Sequence, residues 1–332
     1  MSRELNLQLG INGAFITRRW EQPENWMRLT NELGYPAHEF CADVIDPFFS
    51  GNRDYQLKTA GEVKAAAEKY GVHITDIYTG VATHRFHGLS HSDETCRRRM
   101  KEWLYATMDI ALAMGTDRIG GHWDAISVEV MEAGDGPYQA AVDRLCDTFV
   151  EIAEVGATKG MTAIYLEQMY IPSEAPWTID QGEYILIGIN RQKPAIPVYL
   201  TVDVGHMAGM CYGLEGEDLD HLAWLRRLAP FAEIIHLQQT TPEASHHWPF
   251  TEEYNARGHI EMEPILEAIQ AGHEDVAHSP VNEYLEPVDK TFLIAEIIPG
   301  STKNEDDLLA ELAISSDYLK QWLPDGELKL TV

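Results

Sequence analysis

Eight short apolar runs, each separated from the next by a segment with helical periodicity, constrain the fold of this chain most strongly. Between the runs, apolar residues recur at helical spacing, as in Val63, Ala67 and Tyr70 before Gly71, a good helix C-cap. A strand followed by a helix eight times in succession predicts a (β/α)8 TIM barrel, an α/β fold with parallel strands. The predicted strands are Asn6–Gly10, Ala37–Cys41, His73–Thr79, Arg118–Gly121, Thr162–Glu167, Val198–Asp203, Glu233–Leu237 and Val281–Leu285.

The length of the chain suits one such barrel, although 332 residues could also form two ordinary domains. We find no Gly/Ser linker, low-complexity tract, charge block or short internal repeat, so we predict a single domain over residues 1–332. A doubly wound open sheet is the competing architecture. It more often has a Gly-rich first turn, and GINGA at Gly10–Ala14 does not match GxGxxG.

The charge of the chain excludes some classes of partner. Lys and Arg number 25 against 53 Asp and Glu, which gives a net charge of −28. Such a surface repels phosphate backbones and anionic membranes, so we expect neither nucleic acid nor a membrane as partner. No apolar stretch approaches the roughly 20 residues of a membrane span. The start, MSRELNLQLG, lacks the pattern of a secretory signal, and the four cysteines form no CxxC pair. We therefore expect a cytoplasmic protein with reduced thiols.

Four acidic or imidazole side chains lie at the ends of consecutive predicted strands. They are Glu167 in AIYLEQ, Asp203 in VYLTVDVGH, His236 in EIIHLQQ and Glu283 in PVNEYLEP. Any one of them alone would be an ordinary polar strand end, but parallel strands bring all four to the same rim of a barrel. Three carboxylates and one imidazole predict a site for one divalent cation, with Mn²⁺ as the first choice, Mg²⁺ or Co²⁺ as alternatives, and Zn²⁺ tolerated.

Other side chains near the same rim are candidates for binding a substrate. Several have an ordinary alternative: an Asx-type turn for His206, a tight turn with a packed tryptophan for His122, a solvated histidine pair for His247, and a surface ion pair for Arg257. Trp20, Trp26 and Trp123 are further candidates for apolar walls, although helix–barrel packing is the better explanation for Trp26. The substrate-binding candidates are His206 in DVGH, His122 in GGHWDAIS, Gln238, Arg257, His247 and Trp248.

With these strand-end residues, the chain resembles the xylose-isomerase-like superfamily of sugar and sugar-phosphate isomerases and epimerases. The resemblance extends over nearly the whole chain. The resemblance to ketose 3-epimerases implies that Glu167 and Glu283 both bind the metal and exchange a proton with the substrate. It implies that Asp203 and His236 are ligands only, that His206 and Arg257 hold substrate oxygens, and that the protein forms a homo-oligomer. GINGAF, ADVIDP and GGHWDAIS resemble, more narrowly, the branch with tetrulose-phosphate epimerases.

One feature departs from that pattern: many relatives continue the strand-seven histidine as HxxD, whereas this chain reads HLQQ from His236. The polar contacts of the substrate, and hence its identity, therefore stay open.

Two carboxylates beside one metal favour proton abstraction next to the carbonyl of a small ketose or ketose phosphate, through a metal-stabilised enediolate. Decarboxylation of a sugar-derived oxo acid would use the same site. Phosphodiester hydrolysis of the endonuclease IV kind needs more histidine ligands and a basic groove, which the charge of −28 disfavours. A non-catalytic sugar-binding protein would tolerate loss of the ligands, whereas all four positions are filled.

Overall fold

The computed structural model describes residues 3–16, 22–79 and 84–332 and has the predicted barrel architecture. Within these ranges, eight parallel strands form a sheet that closes on itself because β10 pairs with β1. The strands are β1 (Glu4–Asn12), β2 (Ala37–Cys41), β3 (His73–Thr79), β4 (Arg118–Gly121), β5 (Ala163–Glu167), β6 (Val198–Asp203), β7 (Ile234–Leu237) and β10 (Lys290–Ala295), with a hairpin of β8 (Gln239–Thr241) and β9 (Ala244–Trp248) and a last strand β11 (Glu327–Thr331).

Helices cover the outside of the barrel between consecutive strands. Several end as their sequences predict: α2 stops at Gly71 and α4 at Gly115, both in the left-handed conformation that favours glycine. The described helices are α1 (Pro23–Glu32), α2 (Arg53–Tyr70), α3 (His84–His87), α4 (Glu94–Met114), α5 (Val128–Glu132), α6 (Asp135–Lys159), α7 (Ile179–Asn190), α8 (His221–Leu228), α9 (Glu252–Asn255), α10 (Met262–Glu274) and α11 (Glu305–Leu319).

Side-chain alternation along the strands divides the core into an inside and an outside. On β5, Ile164 and Leu166 belong to the apolar cluster that packs under the helices, whereas Ala163 and Tyr165 belong to a separate cluster in the barrel interior. The next residue on the interior face of β5 is Glu167. The lower layers of the barrel interior are therefore largely apolar, and the layer at the carboxyl ends of the strands is polar.

The predicted eighth strand is wrong. Residues Pro280–Glu283 form a 3₁₀ helix, and the strand that closes the barrel is Lys290–Ala295. Proline at the first position of the run favours a helical turn, which the Ser279 hydroxyl caps by accepting the Val281 amide hydrogen. The run TFLIA, by contrast, is buried along both faces, as a parallel strand between barrel and helices must be.

The bottom of the barrel has an additional strand. β11 runs antiparallel to β1 and pairs with residues Glu4–Gln8, whereas β2 pairs with β1 only from Gly10 onward. β11 therefore covers the part of β1 that its neighbour β2 leaves unpaired, and it satisfies backbone groups that would otherwise form an open edge.

Gly121, at the end of β4, provides a test of the packing at the mouth of the barrel. It has φ +132°, and a Cβ added there would lie 2.4 Å from the Thr79 carbonyl oxygen of β3. Gly121→Ala should therefore destabilise the protein by about 3 kcal/mol, from positive-φ strain plus a backbone clash. Gly71→Ala is the matched control, because φ is also positive but no atom lies within 4 Å of the added Cβ; it should cost about 1 kcal/mol. Equal losses in urea unfolding would contradict the close β3–β4 approach.

Candidate metal centre at the mouth of the barrel

Four buried side chains converge where the barrel strands end: Glu167, Asp203, His236 and Glu296. The first two are the last residues of β5 and β6, His236 lies on β7, and Glu296 directly follows β10. None is more than 2% exposed. One ligand atom from each lies within 4.8 Å of the others. Three of the four residues are those that the sequence predicts.

The ring of His236 lies at the centre of this group. Its Nδ1 atom is 3.2 Å from Glu167 Oε1, 3.3 Å from Glu296 Oε2 and 3.9 Å from Asp203 Oδ2. Its Nε2 atom is 3.0 Å from both carboxylate oxygens of Glu39, a buried residue of β2. Nδ1 therefore faces the three acids at the mouth, and Nε2 faces a fourth carboxylate across the barrel.

Burial and mutual charge shift the pKa values of these groups. Burial would lower the pKa of His236, but the carboxylates of Glu39 and Glu296 raise it well above its ordinary value. Burial raises the pKa of Asp203 to about 6, despite the nearby ring of His206. Burial also opposes ionisation of Glu296, yet His236 and His247 together hold its pKa well below the ordinary value. Positive charge at this point therefore stabilises the ionised acids.

The residues fit a divalent cation. Glu296 Oε2 is buried and accepts no well-aligned hydrogen bond from the described residues, although ring nitrogens of His236 and His247 lie 3.3 and 3.2 Å away. No Lys or Arg in the described ranges forms an ion pair with Glu167, Asp203 or Glu296. Three carboxylates and one imidazole nitrogen are a donor set that Mn²⁺ and similar ions accept.

Neighbouring side chains hold the acids in place. Tyr78 on β3 donates its hydroxyl to Glu167 Oε2 at 2.5 Å, and its ring packs edge-on against His236 at 4.8 Å. Gln238 donates its amide to both oxygens of Asp203, at 2.9 and 3.0 Å. Because the Tyr78 hydroxyl binds Oε2 of Glu167, Oε1 is the oxygen that faces the centre.

Two predicted substrate-binding residues, His206 and His122, lie beside the centre. His206 Nδ1 is 2.8 Å from the carbonyl oxygen of Gln168, and Nε2 is 3.5 Å from Asp203 Oδ2. His122 Nδ1 is 3.3 Å from the carbonyl oxygen of Glu167. Burial and the neighbouring His84 lower the pKa of His122 to about 4, so its ring is neutral near pH 7.

The hairpin after β7 places its side chains on alternating faces. Ser245 and His247 point inward: Ser245 bonds the Gln238 amide, and His247 Nδ1 lies 3.2 Å from Glu296 Oε2. The Gln238 side-chain oxygen also accepts the backbone amide of His247 at 2.7 Å. The structure thus places His247 at the centre. The Gln238 side chain, by contrast, is hydrogen-bonded within the protein, and its contacts are those of a residue that positions Asp203.

Trp248 and Arg257 lie on the outward face of the hairpin. The Trp248 ring stacks on His246 with centroids 3.9 Å apart, and the Arg257 guanidinium lies 4.5 Å from the Trp248 centroid. Arg257 is also paired with exposed Glu253 at 3.4 Å. Neither residue is brought to the cluster. Strand alternation directs Trp248 away from it, and Arg257 packs against the Trp248 ring.

The other candidate tryptophans serve packing where the structure describes them. Trp26 in α1 packs against Phe40 of β2, with ring centroids 6.0 Å apart. Trp123 is 1% exposed and stacks on Phe149 of α6. Trp20 lies outside the described residues.

The structure does not bring Glu283 to the centre. It is exposed in the 3₁₀ helix that precedes β10, and Glu296 occupies the place predicted for it. The physical reason is the eighth strand: Phe292 and Ile294 face the barrel interior, so Glu296 continues the same face at its upper end.

A second buried polar cluster adjoins the first. It consists of His84, His122 and Glu174, which follow β3, β4 and β5, and Arg85 lies 2.6 Å from Glu174 Oε1. Burial opposes ionisation of Glu174, but His84, His122 and Arg85 hold its pKa at about 2. His84 and His122 also line a cavity of about 610 Å³, to which Glu167, Asp203, His236 and Glu296 do not contribute.

Sequence reasoning missed Glu296, Glu39 and Tyr78. Glu296 had a usable signal, because TFLIAE has the same form as AIYLE: an apolar run that ends in glutamate. Glu39 also had one, as a charged residue in the middle of the predicted strand AHEFC. Tyr78 had none, since an interior tyrosine on a strand is an ordinary core residue.

Comparison with known proteins agrees with this architecture. Residues 27–275 match the model of the xylose isomerase-like TIM barrel family. Over 269 residues the chain is 25% identical to the D-erythrulose 1-phosphate 3-epimerase of Brucella abortus (strain 2308), which covers 80% of this chain and 84% of the relative. The chain belongs to the xylose isomerase-like TIM barrel family.

Solved structures show the same fold. A candidate xylose isomerase from Rhodospirillum rubrum ATCC 11170 superposes with a TM-score of 0.79 at 20% identity, covering 95% of this chain and 99% of the other. D-psicose 3-epimerase from Clostridium cellulolyticum H10, solved with D-tagatose, gives 0.64 at 17% identity, covering 95% and 98%. In the described part of the chain, no helix has the length and apolar character required to span a membrane.

Tyr78→Phe tests whether the tyrosine hydroxyl orients Glu167 for cation binding. The variant leaves Glu167 Oε2 without its donor, so Mn²⁺ affinity should fall about 10-fold or more, as for other partners of ligating residues. The matched control is Tyr165→Phe, because Tyr165 is also buried and donates to a carboxylate, Glu233, in the lower half of the barrel. It should lose stability but keep its Mn²⁺ affinity. Equal affinities in both variants, measured by calorimetric titration, would contradict the role of Tyr78.

Proposed function

We propose that this protein is a divalent-metal-dependent epimerase or isomerase of a small ketose or ketose phosphate. The observation that carries the proposal is the buried group of Glu167, Asp203, His236 and Glu296, whose ligand atoms lie within 4.8 Å of one another. Two of these residues are glutamates on strands separated by β6 and β7. The group therefore combines a donor set for one cation with two carboxylates that reach the same point from different strands.

The relatives support the choice of substrate class. The Brucella protein is a D-erythrulose 1-phosphate 3-epimerase and the Clostridium protein a D-psicose 3-epimerase. Both names describe a change at carbon 3 of a ketose, next to the carbonyl. We propose the same reaction class for this chain, with Mn²⁺ as the first choice of ion.

The reaction requires removal of a proton from carbon next to a carbonyl, which is far too weak an acid for a carboxylate base in water. A cation bound by the four residues would supply the positive charge that stabilises the negative charge developing on the substrate oxygens. The protein contributes the base, the acid and the exclusion of water, because all four side chains are almost completely buried.

Glu167 and Glu296 are the proposed acid and base. Tyr78 occupies Glu167 Oε2, so Oε1 is the oxygen that faces the centre and can take or return a proton. Glu296 Oε2 lies beside His247 and His236. One glutamate removes the substrate proton, and the other returns it on the opposite face (epimerisation) or to the neighbouring carbon (isomerisation).

We place the rest of the sugar in the cavity of the second polar cluster, because His122 connects that cavity to Glu167. The cavity lined by Thr79, His84 and His122 has a volume of about 610 Å³, and His122 contacts the backbone of Glu167. Glu174, ionised and with a buried oxygen that accepts no hydrogen bond from the described residues, is suited to accept one from a substrate hydroxyl.

Substitution of the two glutamates tests the proposed proton transfer. Glu167→Gln and Glu296→Gln should each slow exchange of substrate protons with solvent by about 10²–10⁴-fold, the usual contribution of general acid–base catalysis. Exchange is followed at each carbon by NMR, with a panel of ketoses and ketose phosphates in D₂O containing Mn²⁺. Glu283→Gln is the matched control and should leave the rate unchanged, because Glu283 is exposed and does not belong to the cluster.

Two outcomes would contradict this proposal, the first for the role of Glu167 and the second for the reaction class. A Glu167→Gln variant that exchanges protons at the wild-type rate would exclude Glu167 as acid or base. Release of CO₂ from an oxo acid, without proton exchange on any ketose, would instead assign decarboxylation to the same residues.

Removal of the metal tests the proposed cofactor. After treatment with a chelator the wild-type protein should lose proton exchange, and one equivalent of Mn²⁺ per chain should restore it. Mn²⁺ at about 100 times its Kd should stabilise the fold by about 2.7 kcal/mol, and Asp203→Asn should abolish most of that gain. Full activity of the chelated protein, with metal content verified by mass spectrometry, would contradict metal dependence.

A further inference from the structure

Glu39 is a buried carboxylate that the proposed reaction does not use. It lies on β2 with 0% exposure, and both of its oxygens are 3.0 Å from Nε2 of His236. The two residues are 197 positions apart in the chain. Closure of the barrel is what brings them together, since β2 and β7 lie on different sides of its interior.

The contact defines which nitrogen of His236 can bind a cation. An ionised carboxylate only accepts hydrogen bonds, so in this form Glu39 pairs with a ring that carries a hydrogen on Nε2. Nδ1 is then the nitrogen that gives up its hydrogen when a cation binds, and it faces Glu167, Asp203 and Glu296. A histidine whose second nitrogen donates to a carboxylate is the common arrangement for metal-ligating histidines in proteins.

Asn12 fixes Glu39 in turn. The side-chain oxygen of Asn12 accepts the backbone N–H of Ala14 at 2.7 Å, which assigns the two ends of the amide. The amide nitrogen therefore points to Glu39 and donates a hydrogen bond to its Oε2 atom. Asn12 is itself 0% exposed and ends β1. The result is a chain of contacts from β1 through β2 to the ligand on β7.

We propose that Glu39, held by Asn12, is a positioning residue that directs Nδ1 of His236 toward the bound cation and so sets the affinity of the centre. This inference rests on the proposed metal centre. It predicts that Glu39 variants bind metal more weakly, although Glu39 itself would not contact the cation. Loss of packing alone would not produce that change.

The test compares Glu39→Gln with a matched buried carboxylate. Glu39→Gln keeps the size of the side chain but removes its charge, and Mn²⁺ affinity should fall 10- to 100-fold. Asp76→Asn is the control: Asp76 is also 0% exposed and lies on β3, but bonds Thr75 rather than His236. Its affinity should stay within about twofold of wild type. Affinity is measured by electron paramagnetic resonance of free Mn²⁺ during titration of the chelated protein.

Two further readouts separate positioning from a structural role. A merely structural Glu39 would lower Tm equally with and without Mn²⁺, whereas a positioning Glu39 also reduces the Tm gain that Mn²⁺ confers. With Mg²⁺ as a diamagnetic probe, ¹⁵N NMR of the wild-type histidines should show His236 protonated at Nε2. Asn12→Ala should weaken Mn²⁺ binding in the same direction, but less than Glu39→Gln.

The outcomes distinguish this inference from the proposed function. Wild-type Mn²⁺ affinity in a folded Glu39→Gln variant, or a hydrogen on Nδ1 instead of Nε2 in the Mg²⁺-bound wild type, would overturn the positioning role and leave the metal centre intact. A wild-type protein that binds no divalent ion would overturn both. Mn²⁺ binding that depends on Glu39, without turnover of any ketose, would support the inference and reject the reaction.

Discussion

The crowding of carboxylates around one imidazole is the interaction on which the site depends. Glu39, Glu167, Asp203 and Glu296 all lie within contact distance of His236, and all five side chains are nearly or fully buried. Like charges at such distances repel strongly in a medium of low dielectric constant, and each ionised group has also lost its hydration. Two protonated histidines, His236 and His247, cannot balance four carboxylates. The fold tolerates this arrangement because each acid has a defined partner and because the group can receive a cation.

The period of two along each strand decides which residues enter this layer. Ala163, Tyr165 and Glu167 lie on one face of β5, just as Phe292, Ile294 and Glu296 lie on one face leading out of β10. The apolar members fill the barrel below and supply the burial that offsets the cost of the polar layer above. A shift of one residue in either strand would turn its glutamate toward the helices. Fold and site are therefore specified by the same alternation.

The sequence predicts the barrel and three of the four central residues because those features are local. Glu167 and Asp203 end their apolar runs and His236 lies within one, and a short window suffices to find them. The predicted eighth strand, Val281–Leu285, is wrong because the strand is the later run Lys290–Ala295, and this error places the expected acid at Glu283 instead of Glu296. The contact of Glu39 with His236 is not local: it appears only when the barrel closes. The places of His247 and Trp248 likewise depend on a hairpin strand whose alternation directs the first side chain inward and the second outward.

The two neighbouring polar clusters differ in how their charge is balanced, and that difference supports placing the cation in only one of them. Glu174 has His84 and His122 as partners and also the guanidinium of Arg85 at 2.6 Å, a permanent positive charge that contributes to keeping it ionised without any bound ion. The group around His236 has no such partner: in the described ranges its ion pairs are formed with histidines only. A histidine can give up its proton when a metal binds, whereas an arginine cannot. The chain thus offers an exchangeable charge at the mouth of the barrel and a fixed one beside it, which suits a cation at the first position and an uncharged hydroxyl at the second.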